Sequence, residues 1–188
     1  MSGDSTTSTT QAFSSNPYID GLMSGSKWNA SSITYSNPDN ALDYQPGYYS
    51  DYAYPYPSDA NGISAQYDGF AQLTSQQLTA MRSALDTVGG YAPAGGAFSV
   101  EGFTNLQTTF AGNGLGTGTL RAARTTDGGS ALAGYAFYPD STSSPAGFPS
   151  YRSGGDIFIK TAEAATPGQV GWLVMHHEIG HALGLKHG

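Results

Sequence analysis

The residues from His177 to His187 place metal-ligating and proton-transferring side chains at short, regular spacings. His177 and His181 are four residues apart, so on a helix they share one face, one turn apart, and both imidazoles can reach one ion. Gly184 follows them and can adopt positive φ, which lets the chain turn and bring His187 to the same ion. The spacing therefore predicts a zinc ion held by His177, His181 and His187, with a fourth position left open for water.

Glu178 directly follows the first of these histidines. On a helix its side chain leaves the axis about 100° round from His177, beside the ion and outside the ligand set. A carboxylate in that position can take a proton from water on the metal, so Glu178 is the predicted general base. His176 points about 100° to the other side. We expect it to be a partly buried or hydrogen-bonding residue that does not bind the metal.

Two segments have the pattern of a helix start. Residues 74–77, Thr-Ser-Gln-Gln, form a capping box before apolar residues at helical spacing, and Gly89-Gly90 is the predicted stop. Residues 166–169, with Pro167 at the first helical position, are predicted to begin the helix that carries the histidines. Because apolar residues surround this second helix on nearly all sides, we expect it to be buried beneath a sheet.

Four segments have strand character: residues 32–36, 120–123, 131–140 and 156–160. The third has small residues in its first half and Pro139 near its end. Small side chains on an edge strand let another backbone come close, so residues Ala133, Gly134, Tyr135 and Ala136 are candidates for binding an extended peptide by strand addition. An ordinary strand with a glycine bulge is an equally good interpretation.

The composition excludes several classes of protein. The net charge is −7 with seven Lys and Arg, which argues against nucleic acid and anionic membranes as partners. The absence of cysteine excludes disulfides and a thiol nucleophile. No apolar run reaches the ~18 residues of a membrane span. Residues 1–15 lack the basic and apolar regions of a Sec signal peptide, so we expect a flexible leader or propeptide remnant there.

The eleven residues from His177 to His187 resemble the signature of the metzincin zinc endopeptidases. The resemblance implies peptide-bond hydrolysis by a zinc-bound water, with the three histidines as ligands and Glu178 as general base. Residues 22–28, 33–36 and 133–140 look like the corresponding segments of the serralysin branch, so the similarity runs from about Asn16 to Gly188. Serralysins usually have Pro where this chain has Gly188, which leaves matrixin-like and other metzincin branches open.

The resemblance also implies a fold and a setting. We expect an α+β fold, in which a twisted mixed sheet packs on two long helices with the zinc helix central and the cleft beneath the edge strand. Residues 16–188 would form the N-terminal subdomain of the protease domain. The Met-turn and the calcium-binding β-roll would follow Gly188, so Ca²⁺ is expected only there. Secretion by type I export is implied. The expected partners are protein or peptide substrates and the remaining C-terminal part of the protease.

Two alternatives do not involve catalysis. One is a truncated or autolysed fragment that binds zinc or peptide without turnover. The other is a structural or metal-sequestering zinc protein, which is disfavoured because a structural site normally fills its fourth position with a protein ligand. We expect residues 1–188 alone to be poorly stable and weakly active, because Leu183 and Leu185 would meet water and burying each is worth ~1.5–3 kcal/mol.

Overall fold

The computed structural model describes residues 5–44, 69–87, 99–114, 116–126, 133–140, 153–160 and 164–188. These residues form a mixed α+β fold, as predicted. The strands are β1 (Ser8–Thr10), β2 (Ser26–Trp28), β3 (Ser32–Asn37), β4 (Gln107–Asn113), β5 (Leu120–Thr125), β6 (Gly134–Ala136) and β7 (Asp156–Lys160). The α-helices are α1 (Pro17–Asp20), α2 (Ser75–Leu85), α3 (Val100–Phe103) and α4 (Val170–Ala182), with a 3₁₀ helix at Ala41–Tyr44. Among them, no helix combines the length and apolar character needed to cross a membrane.

The larger sheet has the strand order β4-β3-β5-β7-β6. Its first four strands are parallel, and β6 runs antiparallel to β7 at one edge. The four predicted strands are all present as β3, β5, β6 and β7, although residues 131 and 132 of the third lie outside the described residues. The sequence analysis missed β4, because its Thr, Gly and Asn residues do not form an apolar alternation.

Helices α2 and α4 share one apolar core with one face of this sheet. The capping box of α2 is confirmed, since the Thr74 hydroxyl accepts from the Gln77 N–H (3.2 Å) and the Gln77 side chain accepts from the Thr74 N–H (3.0 Å). The helix ends at Leu85, before the predicted stop, because Asp86 is already extended. The Asp86 carboxylate accepts a hydrogen bond from the Tyr35 hydroxyl. The side chains of this core that are fully buried include Ile33, Tyr35, Met81, Leu85, Leu120, Ile157, Ile159 and Met175.

The predicted start of the histidine-bearing helix is wrong. Residues 166–169 form a turn in which the Gln169 N–H donates to the Thr166 carbonyl (3.0 Å) and Gly168 adopts a φ of 87°. A left-handed residue cannot continue a right-handed helix, so α4 begins only at Val170. Gln169 takes the cap position and makes no side-chain cap bond.

The expectation that this helix is buried all round is also wrong. Met175, Ile179 and Ala182 face the core and are at most 2% exposed, whereas Val170 and Leu173 are 62% and 69% exposed. The sheet and α2 cover one face of α4 and leave the other face open in the described structure. An open face on this helix allows a ligand to approach it.

Residues 8–10, within the predicted leader of residues 1–15, form a short strand. Strand β1 pairs antiparallel with β2, with Ser8 opposite Trp28 and Thr10 opposite Ser26. Its two threonines are β-branched and favour a strand once a partner is available. That partner comes from a later part of the chain, so the local composition did not reveal the pairing.

Arg121 of β5 and Asp156 of β7 form a buried ion pair across neighbouring strands. The guanidinium donates twice to the carboxylate, with two distances of 2.7 Å, and both side chains are at most 1% exposed. The same guanidinium donates to the Asp43 carbonyl (2.9 Å) and lies 4.8 Å from the centre of the Tyr44 ring. All of these contacts stabilise a charge that has been removed from water.

Replacing Asp156 by Asn should destabilise the protein by about 3–5 kcal/mol, because the buried guanidinium loses its counter-charge. The free energy of unfolding in urea measures this loss. Asp20→Asn is the matched control, because that carboxylate accepts from Ser14 at the surface and its loss should cost less than about 1 kcal/mol. Equal losses for the two variants would contradict this description of the pair.

Candidate metal centre

The end of α4 turns the chain back toward its own open face. Gly184 adopts a φ of 106°, its N–H donates to the His181 carbonyl (2.9 Å), and the Leu185 N–H donates to the Gly180 carbonyl (2.9 Å). These two bonds form a Schellman motif, a common helix end that requires a left-handed residue. The positive φ predicted for Gly184 is confirmed, and the turn directs His187 toward the helix.

The three predicted ligands meet at one point. The Nε2 atoms of His177 and His181 are 3.0 Å apart, and that of His187 lies 2.9 Å from the first and 3.1 Å from the second. In a tetrahedral zinc site with Zn–N distances of ~2.0–2.1 Å, the ligand nitrogens are ~3.3 Å apart. The triangle is close to that size. This histidine group could hold a metal ion, and nothing in the structure identifies which metal.

Hydrogen bonding orients His181 for this role. Its Nδ1 lies 2.7 Å from the Leu185 carbonyl oxygen. A carbonyl only accepts, so Nδ1 must carry the hydrogen, and in the neutral ring Nε2 then points a lone pair at the other two imidazoles. The Tyr138 ring stands edge-on to the His181 ring with centres 5.6 Å apart. A carbonyl partner on the second nitrogen is typical of metal-binding histidines.

The surroundings of His177 disfavour its protonated form. Burial lowers the pKa of His177, and the neighbouring His181 and His187 rings lower it further. The neutral imidazole is the form that binds a metal. Three facing imidazole Nε2 atoms therefore form a group that could hold a cation.

Glu178 lies about 100° round the helix axis from His177, on the covered side of α4. It is 6% exposed, burial raises its pKa to about 7, and it does not belong to the three-ligand group. Within the described residues, its carboxylate has no hydrogen bond or ion pair. A carboxyl group with a pKa near neutrality can both take and release a proton at physiological pH.

His176 has the role expected of it. Its Nδ1 donates to the Trp172 carbonyl (2.8 Å), and its ring packs on the Trp172 ring with centres 4.4 Å apart. The residue is half-buried and does not belong to the ligand group.

Strand β6 lies at the sheet edge beside α4. The Lys160 N–H donates to the Ala133 carbonyl and the Phe137 N–H donates to the Asp156 carbonyl, both at 3.0 Å. Alternate residues of an antiparallel strand point their main-chain groups to opposite sides, so Gly134 and Ala136 point theirs away from β7, to the edge that is free among the described residues. Pairing is regular at these residues, which excludes a bulge at Gly134.

The packing of β6 explains its small residues. A Cβ atom on Gly134 would lie 3.0 Å from the Val174 side chain of α4, so glycine lets the strand approach the helix closely. Tyr135 lies on the opposite face and stacks on Phe158, with ring centres 5.1 Å apart. The predicted substrate residues are therefore split: the main chains of Gly134 and Ala136 are available, and those of Ala133 and Tyr135 face β7.

The sequence analysis did not reveal the contacts that support the end of α4. The buried Trp28 donates its indole N–H to the Ala182 carbonyl (2.9 Å), and Met23 forms an antiparallel bridge with Leu185. The indole N–H of a buried tryptophan usually has a hydrogen-bond acceptor, so Trp28 was the only residue in the sequence that could have indicated such a contact.

No protein-family model matches the chain, and no curated protein matches its sequence significantly. Inferences about function therefore come from the chain's own residues.

The chain should bind one zinc ion, and replacing His181 by Ala should abolish stoichiometric binding, because two imidazoles hold the ion too weakly. Metal analysis after dialysis measures the zinc content per chain. His176→Ala is the matched control and should retain the full zinc content, since His176 bonds to Trp172. Zinc retained by the His181 variant, or lost equally by both, would show that the ion binds elsewhere.

Proposed function

We propose that this chain is a zinc-dependent endopeptidase of the metzincin type that hydrolyses peptide bonds. The convergence of three imidazole Nε2 atoms within 3.1 Å of one another carries the proposal. Three histidines leave one tetrahedral position free, which is the arrangement of catalytic zinc sites, whereas structural sites are closed by a fourth protein ligand. Glu178 follows the first ligand, where a general base is needed.

The chemistry requires a bound metal and a proton carrier. His177, His181 and His187 would hold the zinc ion, which would supply an activated water with a pKa near ~7 and would polarise a substrate carbonyl. Glu178 takes the proton from the attacking water and passes it to the leaving amine as the C–N bond breaks.

The edge of β6 that faces away from β7 is the reason for proposing a peptide as the substrate. A peptide in extended conformation would add antiparallel to β6 and bond to the main-chain groups of Gly134 and Ala136. Affinity would then depend little on most substrate side chains. The contact of Gly134 with Val174 places this edge along the helix that carries the histidines.

The metzincin branch and the cellular location of the protein are part of the same proposal. It includes the serralysin-like branch, secretion, and residues 16–188 as the N-terminal subdomain of the protease domain, for which the antiparallel edge strand beside the histidine helix would serve as the substrate-binding strand. The resemblance of residues 22–28 and 33–36 supports this branch.

One observation favours a second candidate, a zinc-binding protein without turnover. Glu178 shares the covered side of α4 with Met175, Ile179 and Ala182, where the approach of a water molecule is restricted. Both candidates bind zinc and differ only in hydrolysis.

Glu178→Gln should keep the zinc and lower peptide hydrolysis by at least ~100-fold, because an amide cannot carry the proton and general bases contribute ~10²–10⁴-fold. The rate of cleavage of a quenched fluorescent peptide, measured on zinc-loaded protein, tests this. A variant that keeps more than a hundredth of the activity would refute the general-base role. A zinc-loaded, unmodified chain without measurable hydrolysis would support the second candidate.

Ala136→Pro should raise KM for peptide substrates, because it removes an N–H that points to the free edge. Proline is tolerated on edge strands in such a position, so the fold should persist. Ala136→Gly is the matched control, because it retains the N–H and should leave KM almost unchanged. An unchanged KM in the proline variant would show that substrate does not bind along β6.

A further inference from the structure

The loop that carries His187 is bonded to residues 22–24, which are named here the clamp segment. The Ser24 N–H donates to the Gly184 carbonyl (2.9 Å), and the Lys186 N–H donates to the Leu22 carbonyl (2.8 Å). Between these two bonds, Met23 and Leu185 form an antiparallel bridge. The chain between the helix end and the third ligand is therefore paired with the clamp segment as a short two-stranded ladder.

Leu185 links this ladder to the second ligand. Its N–H donates to the Gly180 carbonyl (2.9 Å), and its carbonyl accepts from His181 Nδ1 (2.7 Å). The position of one peptide unit thus sets the orientation of the His181 ring. It also sets the starting point of the two-residue path to His187. A displacement of Leu185 would misdirect two of the three ligands together.

Trp28 holds the helix end itself. Its indole N–H donates to the Ala182 carbonyl (2.9 Å), one of the carbonyls that have no partner within a helix. The ring is 8% exposed, so this bond is protected from water. Strand β2 also approaches the turn closely, because a Cβ on Gly184 would lie 2.4 Å from the Ser26 carbonyl oxygen. The N-terminal segment thus restrains the turn from two sides.

We propose that the clamp segment and Trp28 are positioning residues of the metal centre, which hold Leu185 and the end of α4 so that three Nε2 atoms converge before a metal arrives. This inference rests on the proposed metal site. The proposed residues do not touch the ion and act through the ligands' backbone. Loss of such supporting contacts around a metal site typically weakens metal binding ~10–100-fold.

The test compares zinc affinities of the full 188-residue chain and three variants by competition with a chromogenic chelator. Ser24→Pro removes the N–H bonded to Gly184, and Trp28→Phe removes the indole N–H but keeps an aromatic ring. Both should bind zinc ~10–100-fold more weakly. Gln11→Pro is the matched control: it removes an N–H bonded to the Gly25 carbonyl at the ends of β1 and β2, breaks none of the bonds to Gly184, Lys186 and Ala182, and should leave zinc affinity unchanged.

Thermal unfolding of the metal-free proteins and the visible spectra of the Co²⁺-loaded proteins separate positioning from stability. We expect altered Co²⁺ bands in Ser24→Pro and Trp28→Phe and unaltered bands in Gln11→Pro. If all three variants lower the Tm but keep the zinc affinity and the Co²⁺ bands, the clamp has only a structural role and the inference is overturned. If Ser24→Pro does not fold, Trp28→Phe decides. An unmodified chain that binds no zinc would overturn the metal site itself.

Discussion

The left-handed turn at Gly184 is the constraint on which the candidate site depends. Two histidines four residues apart need only a helix, but the third must return from beyond its end. With a φ of 106° at Gly184, Leu185 donates back to Gly180 and the chain reverses within three residues. Any side chain at Gly184 would be strained by that φ and would also collide with the Ser26 carbonyl oxygen. One residue without a side chain therefore serves both the turn and the packing of β2 against it.

Helix α4 is buried on one side only, which separates the candidate metal ligands from the candidate general base. The histidines lie toward the open face, where a metal and a substrate can reach them, and His177 and His187 are exposed. Glu178, about 100° round the axis, falls on the covered side, and burial raises its pKa to about 7. Neighbouring residues in the sequence thus have different solvation. The sheet causes this difference in solvation, because it covers the side of α4 that carries Glu178 and leaves the histidine side open.

Features that depend on neighbours in the sequence could be predicted from it, and features that depend on distant partners could not. The capping box at Thr74 and the turn at Gly184 are determined within a few residues, and the spacing of the three histidines was enough to predict that they meet. Strand β1 forms because β2 is available. The start of α4 is an exception, because it depends on the left-handed conformation of Gly168, only two residues before Val170, and was still predicted wrongly. The exposed face of α4 depends on where the sheet ends. The support from Trp28 spans 154 positions of the chain, a separation that no local pattern signals.

Zinc K-edge X-ray absorption on the protein loaded with one equivalent of zinc tests the central claim most directly. Three converging Nε2 atoms and an open position predict a four-coordinate ion with three imidazole nitrogens and one oxygen, all at ~2.0–2.1 Å. The multiple-scattering signal of three imidazoles would establish the ligand set. A six-coordinate ion, or one with a single imidazole, would contradict the account. It would show that the three histidines do not act together as a metal site.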